Sequence, residues 1–307
     1  MISLRQHAIS LVAVFLALAL GLFLGSGFVG DRVNSLTGTT RDRIGDLEDE
    51  RDQLNEKLNS ADSFDQAMAP RLIDGTLERR SVLVVTVPGV VDSDVDTLKE
   101  SVADAGATFA GQIQISDRLV GDTESAKLRT IVDQTIPAGA QLRADFVDSG
   151  SRVGDLLGTL TLHSDQSRAV SVNDSRIGLQ ALREAGFIGY VDNAITPADL
   201  VLVITGGAYG KDSGARGQLV GRLAAAMAAR GQGGALVGRT GSATGGSPIA
   251  VVRSDPALRN AISTVDNADV PTGKITTVLA LAEEGQARTG AYGIGPGAVA
   301  VTVGVRQ

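Results

Sequence analysis

The chain has no cysteine and no tryptophan, and its 307 residues include only two histidines, three tyrosines and seven phenylalanines. Without cysteine there is no disulfide, no thiolate metal ligand and no thiol nucleophile. Beyond the N-terminal region the sequence offers one histidine, His163, and two methionines, Met68 and Met227, so the usual ligands of soft and borderline metals are scarce. A Ser-His-Asp hydrolase would have to use His163, because His7 abuts an apolar run, and no G-x-S-x-G accompanies it. Basic residues are outnumbered by acidic ones, 28 to 35, for a net charge of −7. That balance argues against nucleic acid as a partner, since phosphate neutralisation needs a basic face. EF-hand spacing, G-x-x-x-x-G-K-[ST] and G-x-G-x-x-G are all missing. With so few aromatics, the core must be built from Val, Ile, Leu and Ala.

What is present begins with Ala8 to Gly30, AISLVAVFLALALGLFLGSGFVG, which carries no charge. At about 1.5 Å per residue such a helix spans a hydrocarbon core of about 30 Å. It is longer than the apolar region of a cleaved signal peptide and lacks a good A-x-A site. The expectation is an uncleaved anchor over residues 1–30, its short tail cytoplasmic because Arg5 and the terminal amine precede it. The rest of the chain then lies outside the cytoplasm.

Residues 31–65 predict a coiled-coil stalk. Ile44 and Leu58 take a positions, Leu47, Leu54 and Ala61 take d positions, and Arg51 falls at an a position where it weakens the seam but fixes register. Arg43 at g and Glu48 at e suit pairing between parallel chains, and a shared membrane raises the effective concentration of two seams. A homodimer through the stalk is the expectation; a solvated helix packed on its own domain is the alternative.

From about 80 to 307 the pattern is α/β. SVLVVTVPG (81–89) is a buried-type strand, DSDVDTLKESVADAG (92–106) a capped helix and TFAGQIQIS (108–116) a second strand, together one β-α-β unit. Strands follow at 187–191, 198–207 and 235–239, and PIAVVR (248–253) is predicted as another. Helices are predicted within 123–163, after 213, at PALRNAI and at TGKITTVLALAEEG. The alternation predicts a layered body with a mostly parallel sheet, divisible near 165–175. In open α/β sheets ligands bind beyond the carboxyl ends of strands. LVLVITGGAYGKDSGARGQL fits that place: Gly206, Gly207 and Gly210 would let backbone amides approach a ligand, with Tyr209 and Lys211 beside them. The plainer reading is that these glycines only allow a tight turn. GRTGSATGGSP (238–248) is a similar loop, and GIGPGAVAVTV (293–303) places its glycines before an expected strand.

In order along the chain, the N-terminal run, the LEDERDQL stalk, VLVVTVPG, LVLVITGG, GRTGSA and YGIGPGA resemble the MctB family over essentially the whole length. These are actinobacterial envelope proteins named as copper transport outer membrane proteins. The resemblance implies a role in copper efflux or homeostasis, a channel-like activity and an outer-membrane location. Copper is expected from the family only; the residues themselves predict no catalytic site, metal site or cofactor. Some members, called SteB, are linked to a cytoplasmic partner (SteA) and to control of a cell-wall hydrolase, which offers a second reading: a non-enzymatic, anchored, dimeric scaffold. A third is a small-ligand receptor or enzyme using 205–212. A transmembrane barrel would need repeated segments of about ten alternating residues, whereas the chain shows one spanning helix and continuous buried-type strands.

Overall fold

The computed structural model describes residues 4–25, 28–163 and 170–304. The chain divides into two units, Met1–Ala61 and Asp62–Gln307. The elements, in order, are α1 (Leu4–Gly25), α2 (Phe28–Ile73), β1 (Ser81–Thr86), α3 (Asp92–Asp104), β2 (Thr108–Ile115), α4 (Asp117–Val120), α5 (Ser125–Gln134), α6 (Ser149–Thr161), α7 (Val172–Glu184) and β3 (Ile188–Gly189). There follow β4 (Leu200–Ile204), α8 (Arg216–Ala228), β5 (Gly234–Val237), α9 (Pro248–Ser254), α10 (Pro256–Arg259), β6 (Ser263–Val265), α11 (Pro271–Glu284) and β7 (Ala291–Tyr292).

In the first unit α1 is apolar on every side, and the described side chains from Ile9 to Phe23 are exposed. Among the described residues no helix is long and apolar enough to cross a membrane. Ser26 and Gly27, inside the expected span, lie outside the described residues, and the side-chain surroundings of Val33, Thr37 and Thr40 are likewise not described.

The second unit is built on a seven-stranded sheet ordered β3-β2-β1-β4-β5-β6-β7. All pairings are parallel except β2 with β3. Alternate residues along a strand point to opposite faces, and here both faces are covered. Leu83, Val85, Val201, Val203 and Leu236 enter the core beneath α5 to α9. Val82, Val84, Leu200, Leu202 and Val237 enter the core beneath α3, α11, the end of α2 and the turn after it, where Ile73 and Leu77 are buried. Two buried faces explain why these strands read as unbroken β-branched runs. Each fully buried Leu or Val contributes about 1.5–3 kcal/mol.

The α6–α8 contact sets one layer. Gly150, Gly154 and Gly158 recur every four residues on α6, so they form a row on one face. A Cβ at Gly154 would lie 2.3 Å from the carbonyl oxygen of Leu223, and one at Gly150 would lie 2.5 Å from that of Leu219. The helices therefore meet backbone to backbone. Asp155, fully buried, closes the contact by taking two guanidinium hydrogen bonds from Arg230, at 2.5 and 2.6 Å, and the Arg143 amide at 2.8 Å.

Two expected strands are absent. PIAVVR is helical: Pro248 takes the first helical position, where a missing N–H is harmless, and Ile249 and Val252 are buried one turn apart. Its run of apolar residues has the length of either element. GIGPGAVAVTV forms turns, with a single bridge from Tyr292 to Ala300. Helix α7 and strands β6 and β7 were not expected from sequence.

Candidate cleft at the strand switch point

The strand order defines the site. From β1 the chain moves outward through β2 to β3, then returns to β4 on the other side of β1. The loops after β1 and β4 thus diverge and leave a crevice at the carboxyl edge, where open α/β sheets bind ligands. A cleft of about 510 Å³ lies there.

Four of the five residues expected for a ligand loop line it: Gly206, Gly207, Tyr209 and Gly210. Lys211 is not part of the lining; it opens the short 3-10 turn Lys211–Ser213 and is exposed. The glycines have unequal reasons. A Cβ at Gly206 would lie 2.3 Å from the Gly89 carbonyl oxygen, so the β1 and β4 loops touch only because Gly206 lacks one. At Gly207 and Gly210 the same atom would meet nothing within 4 Å, so space does not demand glycine there. Tyr209 is held by its amide, which donates to the Ser247 hydroxyl at 2.8 Å. Burial pushes its phenol up, with the Thr205 hydroxyl and Arg216 opposing the shift.

Residues that sequence reasoning missed supply the charge. Asp117 opens α4, Asp212 sits in the 3-10 turn and Arg216 opens α8. Arg216 approaches Asp117 to 4.0 Å, a half-exposed pair. A lining with two carboxylates and one guanidinium is equipped to orient a polar ligand. Among the described residues no group of three or more histidine or acidic side chains converges as a metal site would.

Beside the cleft, Arg239 in the loop after β5 donates to Asp94 at the start of α3 over 2.9 Å, and the Thr240 amide donates to Asp269 at 2.8 Å. YGIGPGA has a structural task. Its Ile294 and Gly295 amides donate to the buried carboxylate of Asp266 at 2.8 and 3.0 Å. Arg253, also buried, binds Asp266 and donates to the carbonyls of Tyr292 at 2.6 Å and Pro296 at 3.0 Å. A Cβ at Gly293, where φ is +123°, would lie 2.3 Å from the Asp266 carboxylate. The loop folds around an ion pair and needs its glycines for that. VLVVTVPG, LVLVITGG, GRTGSA and YGIGPGA therefore all end at one edge of the sheet.

A profile of the family described as "Copper transport outer membrane protein, MctB" matches residues 1–303. The chain belongs to the MctB family. Proteins called Copper transporter MctB from Mycobacterium bovis and Mycobacterium tuberculosis are each 43% identical to it over 312 residues, covering 99% of both chains. A protein of the same name from Mycobacterium leprae is 42% identical over 315 residues, again covering 99% of both. Those names speak of copper transport and carry nothing on cell-wall hydrolases or a SteA-type partner.

The seam residues lie apart from the cleft in sequence and belong to the first unit. Ile44, Leu47, Leu54 and Leu58 are 50–63% exposed on α2. Arg51, 64% exposed, donates to Asp52 at 2.9 and 3.1 Å.

Proposed function

We propose that this protein serves copper transport across the cell envelope, as a membrane-anchored homodimer without enzymatic activity of its own. The observation that carries this reading is end-to-end similarity to proteins named copper transporters, with 43% identity across 99% of the chain. Copper is the cargo here and not a resident cofactor.

In this reading the uncharged run from Ala8 to Gly30, part of which lies outside the described residues, crosses the membrane once with its N-terminus in the cytoplasm. Its apolar, exposed side chains from Ile9 to Phe23 support that role, since a helix apolar all round is stable only when buried or in lipid. One helix per chain lines no conduit, so transport needs more than one copy. The exposed row Ile44, Leu47, Leu54 and Leu58 supports a parallel pairing of two α2 helices. The cleft between the β1 and β4 loops is then the ligand- or partner-reading face of the second unit.

The test is copper content under copper load, measured by mass spectrometry in cells with the gene deleted and then restored. Deletion should raise intracellular copper, the wild-type chain should return it to normal, and Leu47→Asp/Leu54→Asp should fail to do so. Equal copper with and without the gene would remove the reading.

A further inference from the structure

A second cavity, of about 250 Å³, opens between α6, α7 and the loop after β3, well away from the sheet's carboxyl edge. Its floor is apolar: Leu160 and Leu179 are buried there, and Ile195 is partly buried against the same core. Val172, at the start of α7, lines the mouth and is 75% exposed. Among the described residues one cation at this rim, Arg176, makes no ion pair. Its guanidinium donates to the side-chain oxygen of Asn173 at 3.0 Å and to no carboxylate. The acidic groups around it are engaged elsewhere. Asp174 takes the Ser171 hydroxyl at 2.7 Å, Glu184 takes the Gln180 amide at 2.8 Å, and Asp192 pairs with Arg183. Arg183 in turn stacks 4.5 Å over the ring of Tyr190, which forms one wall.

We propose that this cavity binds a small amphiphilic carboxylate, with its apolar body among Leu160, Leu179, Tyr190 and Ile195 and its head group against Arg176. Size sets the class. An apolar cavity of about 150 Å³ holds the six carbons of benzene, so this one takes about ten non-hydrogen atoms, the size of a medium-chain fatty acid. Charge sets the head group: an uncommitted guanidinium at an apolar mouth favours an anion and repels an amine.

The experiment uses the full chain in lipid nanodiscs, with empty discs as the blank. Val172→Trp, at an exposed position, gives the chain its only indole as a reporter at the mouth. Octanoate should change its emission saturably, and octylamine should not. Arg176→Gln should weaken octanoate binding about two- to fivefold, the scale of an exposed ion pair, and Ile195→Phe, which fills the floor, should abolish it. Saturation-transfer NMR on octanoate with the wild-type chain guards against the indole itself closing the mouth. Absence of a saturable response in both readouts overturns the proposal. So does octylamine binding as well as octanoate with Arg176→Gln unchanged.

Discussion

Glu284 gives the sharpest quantitative prediction. It ends α11, is only 4% exposed, and accepts the Ser263 hydroxyl at 2.6 Å and the Gly234 amide at 3.4 Å. Burial pushes its carboxyl up to about 7 from an ordinary 4.5, and those hydrogen bonds only partly oppose the shift. The folded state therefore holds this proton more tightly than the unfolded state. The stabilising contribution is fully present below about pH 4.5, is lost as pH rises towards 7, and is absent above. A gap of about 2.5 pH units, at 1.36 kcal/mol each, makes the loss about 3 kcal/mol. Glu284→Gln keeps an acceptor for Ser263 and removes the titration. It turns an NH2 towards the Gly234 amide, at a cost of about 1 kcal/mol. Above pH 7 the variant should then exceed wild type by about 2 kcal/mol, or about 4–8 °C in Tm for a unit of this size. Far-UV circular dichroism melts of both proteins, from pH 4.5 to 8, read this as a difference, so carboxylates common to both cancel. Parallel pH profiles, or a variant less stable at every pH, would refute the reasoning.

Other perturbations test the remaining elements. Gly154→Ala drives a methyl group to 2.3 Å from the Leu223 carbonyl oxygen and should cost about 1–3 kcal/mol in urea unfolding. Gly207→Ala, which meets nothing within 4 Å, should stay within about 0.5 kcal/mol of wild type. Asp266→Asn leaves Arg253 buried without its counter-charge, at a cost of about 3–5 kcal/mol, and hydrogen exchange at the Ile294 and Gly295 amides should accelerate. Leu47→Asp/Leu54→Asp should halve the particle mass measured by light scattering, while the far-UV signal of the second unit is kept.

Legibility followed the range of the interactions. β1, α3 and β2 could be read because each rests on local signals: a β-branched run, Val95, Leu98 and Val102 at helical spacing, and a glycine stop at Gly106. α9 was mistaken for a strand because Ile249, Val251 and Val252 satisfy either period over so short a run. α7 escaped because its buried residues, Leu179 and Leu182, come late in a polar stretch. At the cleft, Gly206, Gly207, Tyr209 and Gly210 were found from the strand-glycine-helix pattern. Asp117 and Arg216 were not, because only the strand order brings α4 and α8 to the same crevice. The YGIGPGA glycines were read only as preceding a strand, because their partner, Asp266, is not adjacent in sequence.

Copper flux through the chain is the most direct measurement of the proposed transport. The full chain would be reconstituted at increasing density into liposomes that hold a copper-sensitive dye. Copper entry should exceed that of protein-free liposomes, rise faster than linearly with density as a dimer requires, and fall back with Leu47→Asp/Leu54→Asp. Entry at the protein-free rate at every density would contradict the account.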